Sequence, residues 1–588
     1  MNNDNVKFER SGMLLNRKFR EYLIPTVLVN IALSLEMVIN SAVVGNLLGE
    51  VPLSAIGLAS PIIYSLNAVF VLFAIGGVAC AAIAKGRRET EEANRFFTLT
   101  FAAGMAVMLV FVISLLIFMR PIAEFLAGGD AELAKLTRQY LTPMIFVGPL
   151  MMIIMGMAQF VRTDGLPRLS SYIALTANAV SLGTCFLLIR FFGIGIAGAS
   201  ISTLLGYTVG IFVMLPYLFS KRRTFRFVKI LKENLQMLKQ MTSVGLSEAL
   251  TQFLTFLRLL VLNVLIVSVF GATGMAVMSV CMIALELSTI FIAGTTDTLL
   301  PIIGTLFGEK DYKGIRFTMK TGIKFTTAAC VTLMAVLLIF PAEVGRMFGV
   351  SSVDGLDLVV PALRMYALSL IFYSINTLLQ SFFQTTGRAN LASLIVLLNG
   401  FVFVVLFAFI FSRVNLNWIW LAFLLSEAAT LLLVACVGLH IQKKENTSVM
   451  LLLPKEDEGG ISADFSVPAT PEAATGLSER IMRFCNENGA DKSAAVRMGI
   501  AVEEMAVNIA RYGHNKVTGV IDVLVRISEN ELILRLRDDG AHFDPTEYHG
   551  AEEGFAVGGI EIVRRLAKDI SYLPQLGFNV TIITIPRT

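Results

Sequence analysis

Charge is scarce in this chain. Asp, Glu, Lys and Arg make up 16% of its 588 residues, while 55% are hydrophobic. Soluble domains carry roughly 25% charged residues. With a mean hydropathy of +0.72, the chain is too apolar to be soluble over most of its length. Its net charge is +4, too little for the dense basic surface that phosphate backbones demand, so a nucleic-acid partner is excluded. The six cysteines show no paired spacing, and five lie in apolar stretches, where a thiol behaves as a small core residue. The four histidines form no ligand cluster. No G-x-x-x-x-G-K-[ST] loop occurs, which removes the standard ATP-driven engine.

What is present is a series of long apolar runs. A bilayer core needs about 20 apolar residues per helix. About twelve such stretches lie near 21–47, 53–84, 96–119, 137–161, 169–192, 195–219, 243–270, 275–306, 320–341, 358–384, 390–412 and 416–441. The polar start, with Lys7, Arg10, Arg17, Lys18 and Arg20, leads into a run too long for a cleavable signal. Basic residues recur after every second stretch: Lys85, Arg87 and Arg88, then Arg162 and Arg168, then the cluster from Lys221 to Lys232, then Lys310 to Lys320, Arg388, and Lys443 with Lys444. Alternate loops carry acids such as Glu124, Asp130, Asp354 and Asp357. The positive-inside bias therefore predicts a multi-pass protein of a bacterial plasma membrane with both termini in the cytosol.

The membrane region repeats itself. "QFVRTDGLPRLS" (159–170) matches "SFFQTTGRANLA" (381–392), with Phe160 opposite Phe382, Thr163 opposite Thr385 and Gly165 opposite Gly387, each 222 apart (382 − 160, 385 − 163, 387 − 165). Six spans followed by six more in the same orientation predict two bundles around a central cavity. The expected organisation is a cytosolic start (1–20), a first bundle (21–219), an inter-lobe loop (220–242), a second bundle (243–441), a polar linker with a short apolar patch (442–461) and a soluble module (462–588).

Acids inside a membrane are costly and are kept for a use. Five stand out: Glu36, Glu248, Glu286, Asp297 and Glu427. Glu36 and Asn40 are one turn apart on the first span and share a face. Glu286 and Asp297, eleven apart, return to within about 20° of one face. Asp297 stands in "GTTDT", before Pro301. Pairing with a buried base such as Arg258 is the competing reading.

"VINSAVVGNLLGEVPLSAIGLASPI" (38–62), "FVRTDGLPR" (160–168) and "GIGIAGASIST" (193–203) resemble, in order, signatures of the multidrug and toxin extrusion (MATE) family. The resemblance covers roughly 15–440 and implies an antiporter that exports cationic, amphipathic compounds in exchange for Na⁺ or H⁺. The family often has an aspartate where this chain has Asn40, and another where it has Cys185. Asn40 cannot change charge, but its carbonyl can ligate Na⁺. Glu36 could supply the missing charge. Glu36, Asn40, Glu286 and Asp297 are the transport candidates.

In the module, "AVEEMAVNIARYG" (501–513) reads as a helix with Glu504 and Asn508 on one face, "LRLRDDGAHFDP" (534–545) as a strand entering a loop, and "EEGFAVGGIEIVRRLAKDISY" (552–572) as a glycine-rich turn opening a helix. That order resembles the ATPase superfamily of gyrase, Hsp90 and histidine kinases, with its Bergerat-type α+β fold, and within it the anti-sigma-factor serine kinases. The resemblance makes Glu504 the catalytic or water-positioning acid and gives Asn508 the Mg²⁺. It has Asp538 read the adenine, sets Gly540 at the turn and brings Gly558 and Gly559 close to the ATP phosphates. The family's glycine two before Gly559 is Val557 here. No phospho-acceptor histidine precedes the module, so a histidine kinase is not expected.

The fold expected is thus an all-α polytopic bundle of about twelve helices in two six-helix repeats, followed by an α+β ATP-binding domain. The function expected is a cation-coupled exporter with a regulatory tail that could meet a soluble partner protein. Two alternatives stand: a flippase for a lipid-linked or polar substrate in the same superfamily, and a membrane sensor whose tail is a serine kinase or partner binder.

Overall fold

The structure is a computed structural model that describes residues 11–127, 130–220, 223–348, 350, 353–414, 418–448, 450–454, 460–513, 519–547 and 556–587. The first half of the membrane bundle comprises α1 (Met13–Leu48), α2 (Glu50–Gly86), α3 (Thr90–Ile117), α4 (Met119–Leu126), α5 (Ala131–Met144), α6 (Val147–Thr163), α7 (Pro167–Arg190) and α8 (Ala197–Phe219). The second comprises α9 (Gln236–Gly308), which carries two spans, α10 (Tyr312–Ile339), α11 (Pro341–Met347), α12 (Val353–Thr385), α13 (Ala389–Leu397), α14 (Phe403–Val414) and α15 (Leu421–Glu445).

Among the described residues ten helical segments are long and apolar enough to cross a membrane, or eleven if α5 and α6, bent by 41° at their junction, form one span. The first expected span falls within α1. Large apolar side chains cover the outside of the bundle, among them Phe212 at 64%, Val264 at 70% and Leu432 at 68% exposure. Water would penalise such a surface, whereas lipid would not. The chain is a multi-pass membrane protein.

The halves repeat down to their corners. α3 and α10 begin 222 residues apart and end 222 apart (312 − 90, 339 − 117). Gly165 and Gly387 both take positive φ, +92° and +78°, a conformation that a Cβ disfavours. Arg88 and Lys310, also 222 apart (310 − 88), take the same left-handed conformation before α3 and α10. The halves pack tightly at one end. A Cβ on Gly86 would lie 2.1 Å from the Thr305 carbonyl oxygen, and one on Gly308 would lie 2.2 Å from that of Ile83.

That end carries the soluble module. Its sheet runs β1 (Ile461–Pro468), β2 (Val520–Ile527), β3 (Glu531–Asp538), β5 (Phe578–Pro586) and β4 (Asp569–Gln575), all antiparallel. Leu532, Leu534 and Leu536 alternate toward one face, where α16 (Pro471–Glu487), α17 (Lys492–Asn508) and α18 (Ala556–Leu566) complete a core with Ile481, Met498 and Val563. Asp491 caps α17 through the Ser493 amide at 3.0 Å. Cys485 is buried in this layer, and burial pushes its thiol up to about 11, as expected of an inert core cysteine.

The opposite face of the sheet is covered by the membrane half of the chain. Phe578, Val580 and Ile582 join Leu14, Leu15 and Phe19 of α1 and Tyr312, Ile315 and Met319 of α10 in one apolar cluster. The linker's apolar patch, Leu452 and Leu453, belongs to it too. Arg535 and Arg537 point to this face and meet Glu309 and Asp311. Arg535 is 2.9 Å from Glu309 and 3.2 Å from Asp311, and Arg537 pairs with both acids; all four side chains are at most 9% exposed.

Candidate functional site

A cavity of about 450 Å³ lies between the halves, beyond the packed end. α9 contributes most of its chemistry: Glu248, Thr251 and Arg258 from its first span, and Thr289, Thr296 and Asp297 from its second. Glu248 and Thr251 are three apart and share a face; Gln380 of α12 reaches both, its amide nitrogen 3.5 Å from the carboxylate and 3.2 Å from the hydroxyl. Asp297 is 3.5 Å from Arg162 of α6. This ion pair crosses from one half to the other at the cavity wall, and Gln159 accepts a second bond from the same guanidinium at 3.2 Å. Arg258 lines the cavity with its Nε buried and without a hydrogen-bond partner. Asn399 lines it from a π-helical turn, Leu398–Val402, that interrupts the span between α13 and α14. Such turns frequently mark functional positions. Behind Asn399, Glu427 accepts from Asn376 at 2.7 Å and from Asn399 at 3.3 Å. The cavity thus offers acids, a guanidinium whose Nε is unbonded, and many amides and hydroxyls.

Of the transport candidates, Asp297 lies in this cavity. Glu36 and Asn40 come together on α1 and interact with each other; they belong to the first half, where the charge of Glu36 reaches Tyr140 and Tyr207. Glu286 is exposed, about three turns before Asp297 along α9, and stands near Tyr64 of α2. The structure therefore gathers Glu36 with Asn40, separates them from Asp297, and leaves Glu286 outside the cavity lining. Sequence reasoning noted Glu248 and Arg258 but gave neither a site role. The amides and hydroxyls around them carry no pattern a single span can show.

Asp164, within the "VRTDG" stretch, is a buried hub rather than a cavity residue. It accepts from Lys85 at 2.8 Å, the Tyr217 hydroxyl at 2.9 Å, the Thr224 amide at 3.0 Å and the Thr224 hydroxyl. It pins the loop between α6 and α7 to the end of α2.

In the module, Glu504 and Asn508 end α17, and the next residues form another π-helical turn, Ile509–Gly513. Both side chains face the first turn of α18, which holds Gly558 and Gly559. A Cβ on Gly559 would stand 2.1 Å from Glu504 Oε2 and 3.7 Å from Asn508 Nδ2. Glycine is required there for this approach. Asn508 Nδ2 is buried and lacks a partner among the described residues. Asp538 Oδ1 accepts from the Gly540 amide at 2.8 Å and from Asn579 of β5 at 2.9 Å. Tyr572 donates to Asn579 Oδ1 at 2.7 Å. Burial, with the Asp544 and Asp538 carboxylates nearby, pushes its phenol up and keeps that proton in place. Gly540 packs against the Gly513 carbonyl, which also accepts from the Ala541 amide at 2.7 Å. The two motif clusters therefore meet at Gly513. Residues 514–518 and the first part of the glycine-rich turn, 552–555, lie outside the described residues. An orphaned buried amide and a cradle that a Cβ would fill are what a bound nucleotide would use, so these residues fit the ATP that their motif implies.

Comparison with known proteins agrees with both parts. A family model described as lipid II flippase MurJ matches residues 66–455, and one described as a histidine kinase-like ATPase domain matches 467–584. A multidrug export protein, MepA, of Staphylococcus aureus is 22% identical over 425 residues, 72% of this chain and 92% of its own. Its counterpart in Staphylococcus saprophyticus is 23% identical over 421 residues, 70% and 91% of the two chains. A Vibrio cholerae MATE transporter has the same fold at a TM-score of 0.69 and 20% identity, over 74% of this chain and 99% of its own. So does a Pyrococcus furiosus transporter of the MOP superfamily, reported with a binding pocket of reversed polarity, at a TM-score of 0.65 and 20% identity over 74% and 98%.

Proposed function

The chain belongs to the lipid II flippase MurJ family, and from that premise we propose that it is a MATE-type secondary exporter of cationic amphipathic compounds, driven by Na⁺ or H⁺ and regulated by an ATP-binding tail. The observation that carries the reading is the pair of acids, Glu248 and Asp297, in a cavity between two repeated halves. A carboxylate in low dielectric attracts a cation strongly. Glu36, with Asn40 beside it, is the coupling site: an acid that can exchange a proton or a metal ion, next to an amide carbonyl that can join as a ligand. Glu286, exposed on α9 about three turns before Asp297, would act on entering or leaving cations. The chain sits in a bacterial plasma membrane with its tail in the cytosol.

In the tail, Asp538 would hold the adenine amino group and Asn508 the Mg²⁺ on the phosphates. Gly558 and Gly559 would let the α18 N-terminus approach those phosphates, and Glu504 would position water or a hydroxyl. Bound ATP would supply a transferable phosphoryl group; Gly540 keeps the Asp538 loop tight.

Vesicle transport of a fluorescent cation under an imposed Na⁺ or H⁺ gradient tests the membrane reading, with Glu36→Gln as the coupling control. Unchanged ion-coupled efflux in that variant removes Glu36 from the mechanism. A second reading, a flippase for a lipid-linked or polar substrate, draws support from the MurJ match and from Arg258, whose unbonded Nε in the cavity wall suits an anionic group. Loss of cation transport in Glu248→Gln, with Arg258→Gln unaffected, would favour the exporter; the reverse would favour the flippase.

A further inference from the structure

The tail touches both halves of the membrane bundle, and it does so where they pack against each other. On the second half it holds Glu309 and Asp311 through Arg535 and Arg537, and Lys313 through Asp464 at 2.9 Å. On the first half Gln575 donates to the Lys85 carbonyl at 2.8 Å, and Arg88 donates to Ser571 at 3.2 Å. Gly577 sits so close to Gly165 that a Cβ on Gly165 would lie 2.4 Å from the Gly577 amide nitrogen. α1 is engaged as well, by a 2.8 Å pair between Arg17 and Asp539. One rigid sheet therefore spans the seam formed by α2 and α9.

The same strand end serves the nucleotide site. Arg535 and Arg537 grip the second half, Asp538 is the adenine candidate, and Asp539 holds Arg17. Docking and nucleotide recognition share a run of five residues on one strand and its exit. β3 is hydrogen-bonded on both sides, so a change in how Asp538 is held would meet Arg537 and Asp539 through paired backbone rather than a flexible linker.

We propose that the C-terminal domain is a nucleotide-sensitive clamp. Docked, it ties the tail-bearing ends of the two halves together, so that this side of the cavity opens only when the tail lets go of one of them. The clamp part stands on the docking geometry alone; its nucleotide sensitivity rests on the ATP-binding reading above. The contacts are unequal. The second half is held by four buried charges, and α1 stays with the tail through Leu14, Leu15 and Phe19, whereas α2 is met through the single hydrogen bonds of Gln575 and Arg88, so α2 is the side of the seam released. An alternating-access carrier must part its halves at each side in turn, and a bridge across one side sets the rate of that step.

The test uses the full chain in proteoliposomes. Thr305, buried and facing Gly86 of α2 across the seam, is replaced as Thr305→Cys in a Cys436→Ser background, since Cys436 is the one exposed thiol among the six. A water-soluble maleimide then reports how often the seam opens, because α2 covers position 305 even when the tail is away. Slow labelling is expected in this background. It should rise about tenfold or more in either Glu309→Arg or Arg537→Glu, each of which strands buried charge, and return toward the starting rate in the quadruple variant Glu309→Arg, Asp311→Arg, Arg535→Glu and Arg537→Glu, which reverses all four signs together. Equal labelling in all four proteins overturns the clamp. Bound nucleotide, read with a fluorescent ATP analogue and abolished by Asp538→Asn, should change the labelling rate of the unswapped protein. Binding without such a change overturns the nucleotide sensitivity and leaves ATP binding intact. Absence of binding overturns ATP binding and the sensitivity together, while the charge-swap result still decides the clamp.

Discussion

The two halves of the membrane bundle turn the same corner after their second span, yet with different charges. Each corner puts a basic residue into the left-handed region, Arg88 at φ +68° and Lys310 at +58°. An acid follows in each, Glu89 or Asp311, at the start of the next helix. One position earlier, the first corner has Arg87 and the second has Glu309, 222 apart (309 − 87). Glu309 and Asp311 receive the tail's arginines, whereas the first corner meets the tail through the Lys85 carbonyl and Arg88. Backbone shape is held by sterics and hydrogen bonds that both copies need. Charge at a corner is free to diverge, and here it gives the tail one corner held by buried charge pairs and one held by single hydrogen bonds.

A second contrast lies one loop further on. Asp164 and Thr386 occupy equivalent positions (386 − 164 = 222). Asp164 receives four hydrogen bonds, including that of buried Lys85, while the Thr386 hydroxyl donates to its own helix at the Phe382 carbonyl at 2.9 Å. Asp164→Ala strands Lys85 and should lower stability by about 3–5 kcal/mol, against about 0.5–1.5 kcal/mol for Thr386→Ala. Thermal unfolding of the two variants side by side measures the gap; equal losses would mean that the buried pair does not anchor the first half.

The next largest difference is expected between Glu309→Ala and Arg87→Ala. The first leaves Arg535 and Arg537 undercompensated and should weaken tail docking by about 3 kcal/mol, while the exposed Arg87 should matter by less than about 0.5 kcal/mol. Hydrogen exchange of β3 amides in the full chain reads both. Within the tail, Gly559→Ala drives a methyl onto Glu504 and should abolish nucleotide binding, whereas Gly476→Ala, with open space around it, should leave binding as it is. Smallest is the pair Gly165→Ala and Gly387→Ala. Each forces a side chain to positive φ at a cost of about 1–2 kcal/mol, but only the Gly165 variant also pushes on Gly577 of the tail. A tail-docking loss confined to Gly165→Ala sharpens the comparison; one shared by both breaks it.

The sequence showed the parts of this molecule that repeat or that recur in motif order. Gly165 and Gly387 gave away the duplication because both need positive φ. The spacing of Glu504, Asn508, Asp538 and Gly559 marked the proposed nucleotide pocket because each is tied to an element boundary. The cavity was less legible. Its polar lining is spread over several spans as single Gln, Thr and Asn residues, which look like any partly buried helix face. Asp297 is picked out by its polar neighbours, but the eleven residues that separate it from Glu286, at about 1.5 Å each, place the latter outside the lining despite their shared face. The docking arginines were hidden for another reason. "LRLRDDG" reads as a strand with one wet face, and only the partner loop, over 220 residues earlier, shows that this face is dry. The short apolar patch in the linker was a visible sign that something there would be buried.

The most direct test of the account is transport of a fluorescent cation by proteoliposomes holding the full chain, with an imposed Na⁺ or H⁺ gradient, in the presence and absence of ATP. The account expects movement that follows the ion gradient without ATP, and a rate that ATP on the tail side alters. Transport that needs ATP and ignores the gradient would contradict it.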